Sequence, residues 1–350
     1  MGTTAASLCD AGVAPRGPRS SPHCDRPAAR GPIQVPAYTA RVRRDRGSIE
    51  SDSEASLPDS SDRGAIETSV VIPCYNGAPF LRTQLSAIAR SADPSVEVVI
   101  SDNGSTDDSA DVARRLGEEL GLCVRVVDSS GKKGINHARN VGVRASRGAF
   151  VLMCDCDDEV SERWLDGLRG ALRNGADCVG GPLVRVFSDG TVLETAEGVH
   201  FRRWPKAGVT VGSPTGANCG FTRALYDRLR GFDESFVGGG DEIDFFYRAT
   251  LGGARLQNAP HAAIRYLQRD SGRGTFTQNM NYGRGSVRLH RKLGDLGMPR
   301  DSAVKVAGTV VHSVGRIVIG PTSARRIGIE RIARRWGRLR ESVATRHFFL

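Results

Sequence analysis

The chain has 350 residues, with 49 Lys and Arg against 39 Asp and Glu and a formal net charge of +10. That length buries the core of one large or two ordinary domains. The charge is uneven: residues 281–350 hold fifteen Lys and Arg against four acids, a net of +11, so the remainder stands at −1. A basic balance raises nucleic acid as a partner, but there is no zinc-finger spacing, RNA-binding aromatic signature or helix-turn-helix pattern, so that class is set aside. The eight cysteines are scattered without a Cys-x₂-Cys pair, the usage of reduced thiols in a cytosolic protein. The Met1 start lacks a basic segment followed by an apolar one, so no secretory leader is expected. No uncharged apolar run reaches membrane-span length; the nearest, 303–320, contains Lys305, His312 and Arg316.

In chain order, residues 1–66 read as an extension. Pro, Arg, Gly and Ser dominate 14–36, and Ser alternates with acids over 48–61. Too few large apolar residues precede Ile66 to offset the entropy of ordering, so disorder is expected. From Ser69, Val70-Val71-Ile72 reads as a β-branched strand halted by Pro73, which has no N–H for a ladder. A helix is predicted over 79–91 and a strand over 96–101. The turn Asp102-Asn103-Gly104-Ser105-Thr106-Asp107 then feeds a helix over 107–120, with a Ser or Thr cap and acids in the first turn. A strand over 122–127, the loop Gly131-Lys132-Lys133-Gly134 and a helix over 136–146 follow. Strand and helix alternate at the spacing of a parallel, right-handed α/β sheet.

Val151-Leu152-Met153 then ends a buried strand that runs straight into Cys154-Asp155-Cys156-Asp157-Asp158. Ligands of open α/β sheets bind at this carboxyl edge, and Asp102 ends its own strand there. Three crowded carboxylates repel one another unless a cation joins them, and oxygen ligands favour Mg²⁺ or Mn²⁺ shared with substrate phosphates. The competing reading is a solvated acidic turn capping a helix that starts near Ser161. Cys154 and Cys156, one residue apart in a strand, point to opposite faces and do not make a zinc pair.

Five pieces in order resemble the signature of family 2 glycosyltransferases: Val70 to Asn76, Asp102 to Asp107, Ala138-Arg139-Asn140-x-Gly142, Asp155-Cys156-Asp157 and Gly240-Asp241-Glu242-Ile243-Asp244-Phe245. The resemblance covers residues 68–269. It implies a GT-A fold, a Rossmann-like, mainly parallel sheet flanked by helices over 67–270, leaving a helical, basic region over 271–350. It further implies a nucleoside-diphosphate-sugar donor, a divalent metal and inversion at the anomeric carbon. The residues it assigns to the donor are Pro73, Tyr75, Asn76, Asp102 as the base-recognising acid, Asn103, Arg139 toward a phosphate or the base, and Asp155. Asp155 and Asp157 are assigned to the metal. Glu242 takes the place of the catalytic acid and Asp241 that of its neighbour toward the acceptor. This chain reads Asp-Glu where the family more often reads Glu-Asp, so the two roles stand open to exchange. Asp244 and Arg248 match structural positions, and Thr215 to Phe221 matches a strand flooring the sugar pocket. Arg265 stands where the family sometimes has a metal-binding histidine, with His261 four residues earlier, so a third ligand stays open.

Each of these residues also has an ordinary structural reading. Asp102 suits a turn, Arg139 a helix surface, and Asp158 a supporting or helix-capping place. Asp241 and Glu242 suit the positive end of a helix dipole. Lys133 and Asn136 are weaker donor candidates in the same glycine-flanked region. The combination favours a cytosolic, metal-dependent inverting glycosyltransferase. Its acceptor is a polysaccharide, a lipid-linked glycan or a small molecule, as in cell-envelope polysaccharide synthesis. The rivals are a sugar-phosphate nucleotidyltransferase, which lacks its Gly-rich triphosphate loop here, and a non-catalytic nucleotide-sugar-binding protein.

Near the C-terminus, Pro321-Thr322-Ser323 opens a helix in which Ile329, Ile332, Trp336 and Leu339 recur at three- and four-residue steps. Arg326, Arg331, Arg334, Arg335 and Arg338 occupy mostly the remaining faces. This is the pattern of a membrane-surface element on an anionic leaflet. It is equally that of a helix packed on the catalytic domain with its arginines in water.

Overall fold

Val70-Val71-Ile72 forms the middle of β1 (Thr68–Cys74), buried along its whole length in a computed structural model that describes residues 66–187, 189–268 and 272–349. The described residues belong to a compact unit, Gln34–Leu350. The extension expected over 1–66 lies outside the described residues except for Ile66. The first half alternates as predicted: β1, α1 (Ala78–Ala89), β2 (Val96–Asp102), α2 (Ser109–Leu120), β3 (Cys123–Asp128), α3 (Ile135–Ala145) and β4 (Phe150–Cys154). β5 (Glu159–Val160), α4 (Trp164–Arg173), β6 (Cys178–Gly180), β7 (Leu183–Val186), β8 (Val192–Ala196), β9 (Val199–Trp204) and β10 (Val209–Pro214) follow. Then come β11 (Asn218–Thr222), α5 (Arg223–Leu229), α6 (Asp241–Leu251), β12 (Leu256–Asn258) and β13 (Ile264–Leu267). The helices α7 (Gly272–Leu293), α8 (Ala303–Ile319) and α9 (Thr322–Thr345) complete the described chain.

The central sheet has seven strands in the order β12-β6-β11-β4-β1-β2-β3. β4, β1, β2 and β3 are mutually parallel, while β11 runs antiparallel between β4 and β6. A strand's period of two splits its side chains between two cores. Val70, Ile72, Val98 and Ile100 pack with Leu81, Leu85 and Trp164 on one face; Val71, Val99 and Met153 pack with Phe221, Phe245 and Phe246 on the other. Each such side chain contributes roughly 1.5–3 kcal/mol by leaving water. β1 runs through Pro73 rather than halting there. Its pairing with β4 ends at Val71↔Met153, whereas that with β2 continues to Cys74↔Asp102.

Two local expectations are corrected. α2 starts at Ser109, whose amide donates to Asp107 Oδ1 at 3.1 Å, so the cap is an acid and not a Ser or Thr. Ser109 Oγ accepts from the Gly77 and Ala78 amides at 2.8 and 3.1 Å, and Asp107 Oδ2 accepts from Ala78 at 3.2 Å. The acid-rich turn therefore caps the neighbouring helix α1, whose first amides have no partner within the helix. Asp158 does not cap α4, whose N-cap is Arg163 without a side-chain bond.

The C-terminal helix also turns its faces unexpectedly. α7 and α9 meet backbone to backbone: a Cβ on Gly337 would lie 1.9 Å from Met280 O, and one on Gly283 2.0 Å from Arg334 O. Large apolar residues do not fit that seam. Gly337 and Gly283 fill it, and Gly328 gives α9 a like close approach to α8, where a Cβ would lie 2.7 Å from Ser313 O. Trp336 stays 50% exposed and Ile329 and Leu339 face outward. Arg335 and Arg338 reach inward to Asp301, each at 3.1 Å, and Arg326 stacks over Phe187. Neither sequence reading placed the arginines on the packed side. α8 buries only Ser313, leaving Val304 82%, Val311 72% and Val318 65% exposed. Among the described residues no helix is long and apolar enough to cross a membrane.

Candidate active site

The carboxyl ends of β1, β2 and β4 open onto a cavity of about 450 Å³ lined by Pro73, Tyr75, Asn103, Lys133, Asp155 and Asp157, among others. Asn76 and Asp102 sit beside it as turn clamps. Asn76, in the left-handed region at φ 52°, accepts the Thr106 amide at 2.8 Å and donates its own to Ser105 Oγ. Asp102 Oδ1 accepts from the Ser105 amide at 3.0 Å and from its hydroxyl. Asn103 holds the lysine loop in place: its Nδ2 donates to Ser129 O and Lys132 O, and its Oδ1 accepts from Gly134 N.

Carboxylate oxygens of Asp155, Asp157 and Asp158 lie within 4.8 Å of one another, a spacing open to a metal ion. Asp158 is buried; its Oδ1 accepts from the Leu267 amide at 3.1 Å and its Oδ2 has no hydrogen-bond partner. Burial, then its acidic neighbours, holds the Asp158 carboxyl well above the ordinary range. Burial also pushes Asp155 up to about 6, opposed by Arg139 and aided by Asp157. An orphaned buried oxygen beside two further carboxylates fits a divalent cation. His261 is exposed on the turn before β13, and Arg265 lies 3.7 Å from Glu159; neither belongs to this cluster.

The second acidic pair opens α6. Gly238, Gly239 and Gly240 all have positive φ, at 76°, 152° and 75°. They press against α7, where a Cβ on Gly239 would lie 2.6 Å from Asn281 O. The glycines thus serve close packing and left-handed backbone, and set where the helix begins. Asn136 Nδ2 donates to Asp233 O and to Asp241 O at 2.9 and 3.3 Å, fixing the same turn from α3. Asp241 is buried and lies 3.5 Å from Arg139. Glu242 accepts a hydrogen bond from the Gly216 backbone; burial, then Asp241, pushes its carboxyl up to about 7.

Arg139 is neither at a helix surface nor among the residues lining the first cavity. Only 3% exposed, it donates to Asn136 Oδ1 at 3.2 Å and lies under Gly216, where a Cβ would come 2.3 Å from its Nη2. Its charge acts on Asp241, Glu242 and Asp155 together. Asp244 and Arg248 pair with each other at 2.8 Å, and Arg248 also donates to Leu229 O and Gly231 O.

Glu242 lines a second cavity of about 480 Å³ together with Tyr266, Asn279, Tyr282, Arg334 and Arg338. Tyr266 and Tyr282 share a hydrogen bond, and burial pushes the Tyr282 phenol up to about 12. Sequence reasoning missed this wall. Its residues come from β13, α7 and α9, which carry no shared motif, and the arginines of α9 were read as solvent-facing.

Comparison with known proteins agrees with the geometry. Residues 69–230 match glycosyl transferase family 2. An uncharacterized glycosyltransferase, EpsJ of Bacillus subtilis, is 29% identical over 35% of this chain and 35% of its own length. Glycosyltransferase GlyG of Streptococcus pneumoniae is 30% identical over 29% of this chain and 33% of its own. The chain thus spans about a third of the length of these relatives. The mannosyltransferase PcManGT of Pyrobaculum calidifontis, solved with GDP-Man and Mn²⁺, superposes with a TM-score of 0.54 and 18% identity over 87% of this chain and 93% of its own, a likeness of fold. With its mainly parallel GT-A-like sheet and acids at the carboxyl edge, the segment 69–230 belongs to glycosyl transferase family 2.

Proposed function

We propose that the chain transfers a sugar from a nucleoside-diphosphate donor to an acceptor hydroxyl, with inversion and with a divalent metal, Mg²⁺ or Mn²⁺. The observation that carries the reading is the placing of acids in two cavities around one buried guanidinium: Asp155 lines the donor cavity, Glu242 lines the second, and Asp241 lies 3.5 Å from Arg139. Pro73, Tyr75 and Asn103 form the nucleoside side of the donor cavity, and Asn76 and Asp102 shape it through the turn they clamp. Asp155 and Asp157, with the orphaned Asp158 oxygen beside them, would hold the metal. When bound there, a divalent cation neutralises charge developing on the departing diphosphate.

Glu242 receives the acceptor proton. Its hydroxyl oxygen then attacks the anomeric carbon from the face opposite the diphosphate, forming one glycosidic bond as the sugar–phosphate bond breaks. Of the two open assignments, the structure favours Glu242, because Asp241 is occupied by Arg139 whereas Glu242 lines the open cavity. A carboxyl poised near pH 7 exchanges protons readily at neutral pH. Nucleoside diphosphate release, screened across donor sugars with Mn²⁺ and Mg²⁺, tests the reading. Absence of release from every donor in the presence of varied acceptors would sink it.

A peripheral membrane location, on the cytoplasmic side of the envelope, is favoured by a separate observation. The valine face of α8 and the Ile329, Trp336 and Leu339 stripe of α9 are uncovered by the fold. They lie within the segment that carries a net of +11. Exposed apolar residues amid cations complement an anionic lipid surface, which would bring a lipid-linked acceptor to the site.

A further inference from the structure

The wall of the second cavity holds one arginine whose charge no described side chain answers. Arg185 pairs with Glu194, Arg326 lies 3.4 Å from Glu330, and Arg338 lies 3.1 Å from Asp301. Arg334 has no carboxylate among the described residues. Its Nε donates to Asn279 Oδ1 at 2.7 Å, and its guanidinium carbon lies 5.7 Å from the centre of the Tyr282 ring. Those two contacts set the plane of the fork and leave both terminal nitrogens without an acceptor among the described residues. A fixed, planar guanidinium with free terminal N–H groups is suited to bidentate recognition of an oxyanion.

The place of this fork matters as much as its charge. Tyr282, over whose ring Arg334 lies, lines the same cavity as Glu242 and hydrogen-bonds to Tyr266, so the acid and the fork share one cavity. Gln278 lines the same cavity and adds an amide donor. A further donor in the same cavity suits a tetrahedral oxyanion, which offers more acceptor oxygens than a planar carboxylate.

We propose that the acceptor carries a phosphate group, and that Arg334 seats it while the acceptor hydroxyl faces Glu242. The proposal rests on the glycosyl-transfer reading for what the bound molecule is, but the anion site can be tested without turnover. The phosphate belongs either to a soluble glycan phosphate or to a lipid phosphate, and the same fork serves both.

The test measures equilibrium binding of two probes, glycerol 3-phosphate and dodecyl phosphate below its micellar concentration. The full chain is held saturated with nucleoside diphosphate and Mn²⁺, so that the donor cavity is filled. Saturable binding is expected, weakened at least tenfold in Arg334→Gln and less in Arg334→Lys, with melting curves showing that both variants fold. Tighter binding of dodecyl phosphate assigns the phosphate to a lipid-borne acceptor, and equal binding assigns it to a soluble one. Binding that is absent for both probes, or unchanged in Arg334→Gln, overturns the proposal. Because no catalysis is read, either result leaves the transfer reading to its own assay.

Discussion

Arg139 Nη1 lies 3.5 Å from Asp241 Oδ2, and the pair joins the helix after the lysine loop to the first turn of the acid-bearing helix. Both partners are buried, so neither charge is solvated without the other. Removing one side of such a pair leaves an uncompensated buried charge, at a cost of about 3–5 kcal/mol. Arg139→Gln should therefore destabilise the chain by that order in urea unfolding. It should also raise the Glu242 carboxyl further, because the Arg139 charge opposes its upward shift more than the backbone hydrogen bonds do. The alkaline displacement of the pH–rate curve separates this positioning role from plain loss of stability.

Glu242 sets a second expectation. A base must be ionised to act, and this carboxyl ionises near 7, so the rate should rise about tenfold per pH unit below that point and level off above it. Glu242→Gln should cost about 10²-fold or more in transfer while donor binding persists. If Asp241→Asn is the more damaging change, the base is Asp241. Stability runs the other way. A folded-state pKa raised above the ordinary 4.5 means that the folded chain keeps its proton while the unfolded chain loses it. Stability falls as pH rises between those values and stays lower above them. The Gln variant should lack this part of the decline, and melting temperatures at pH 4 and pH 8 would show it.

Asp157 tests the metal. In Asp157→Asn, Mn²⁺ should no longer raise the melting temperature, and nucleoside diphosphate release should fall to background. Excess chelator should abolish release by the unaltered chain, with Mn²⁺ or Mg²⁺ restoring it. Turnover unaffected by chelator would exclude the carboxylate cluster as a required metal site.

Gly239 is the tightest of the three loop glycines behind the acid pair. With φ at 152° and backbone atoms 2.6 and 2.9 Å from an added Cβ, Gly239→Ala must strain the loop or shift α7. Such strain costs roughly 1–3 kcal/mol. Activity should fall more than stability alone explains, since the loop places Asp241 and Glu242. An exposed glycine with open space around it, Gly308, is the control and should tolerate Ala.

Vesicle sedimentation addresses the C-terminal helices. Binding should require anionic lipid and weaken with salt. Replacing Val311 and Val318 with Asp should reduce it strongly, because those side chains are exposed and contribute nothing to the core. Equal partitioning of the altered and unaltered chains would remove the membrane reading.

The alternation of β-branched runs with helical segments from Ser69 to Met153 determined the parallel sheet, because strand and helix periods and turn residues act over a few neighbouring positions. The same stretch showed that Asp102, Asp155 and Asp157 share the sheet's carboxyl edge, since parallel strands end on one side. What each side chain does there was decided by partners distant in sequence. Asp107 and Ser109 cap a helix some thirty positions earlier. Arg139 turns from the donor cavity to Asp241 because Gly216 leaves room above it. Arg335 and Arg338 point inward because Gly337 brings that helix onto the backbone of Met280, where only small residues fit and only long side chains reach past them to Asp301. A helical period marks which residues share a face, but burial is settled by whatever surface the fold brings against it.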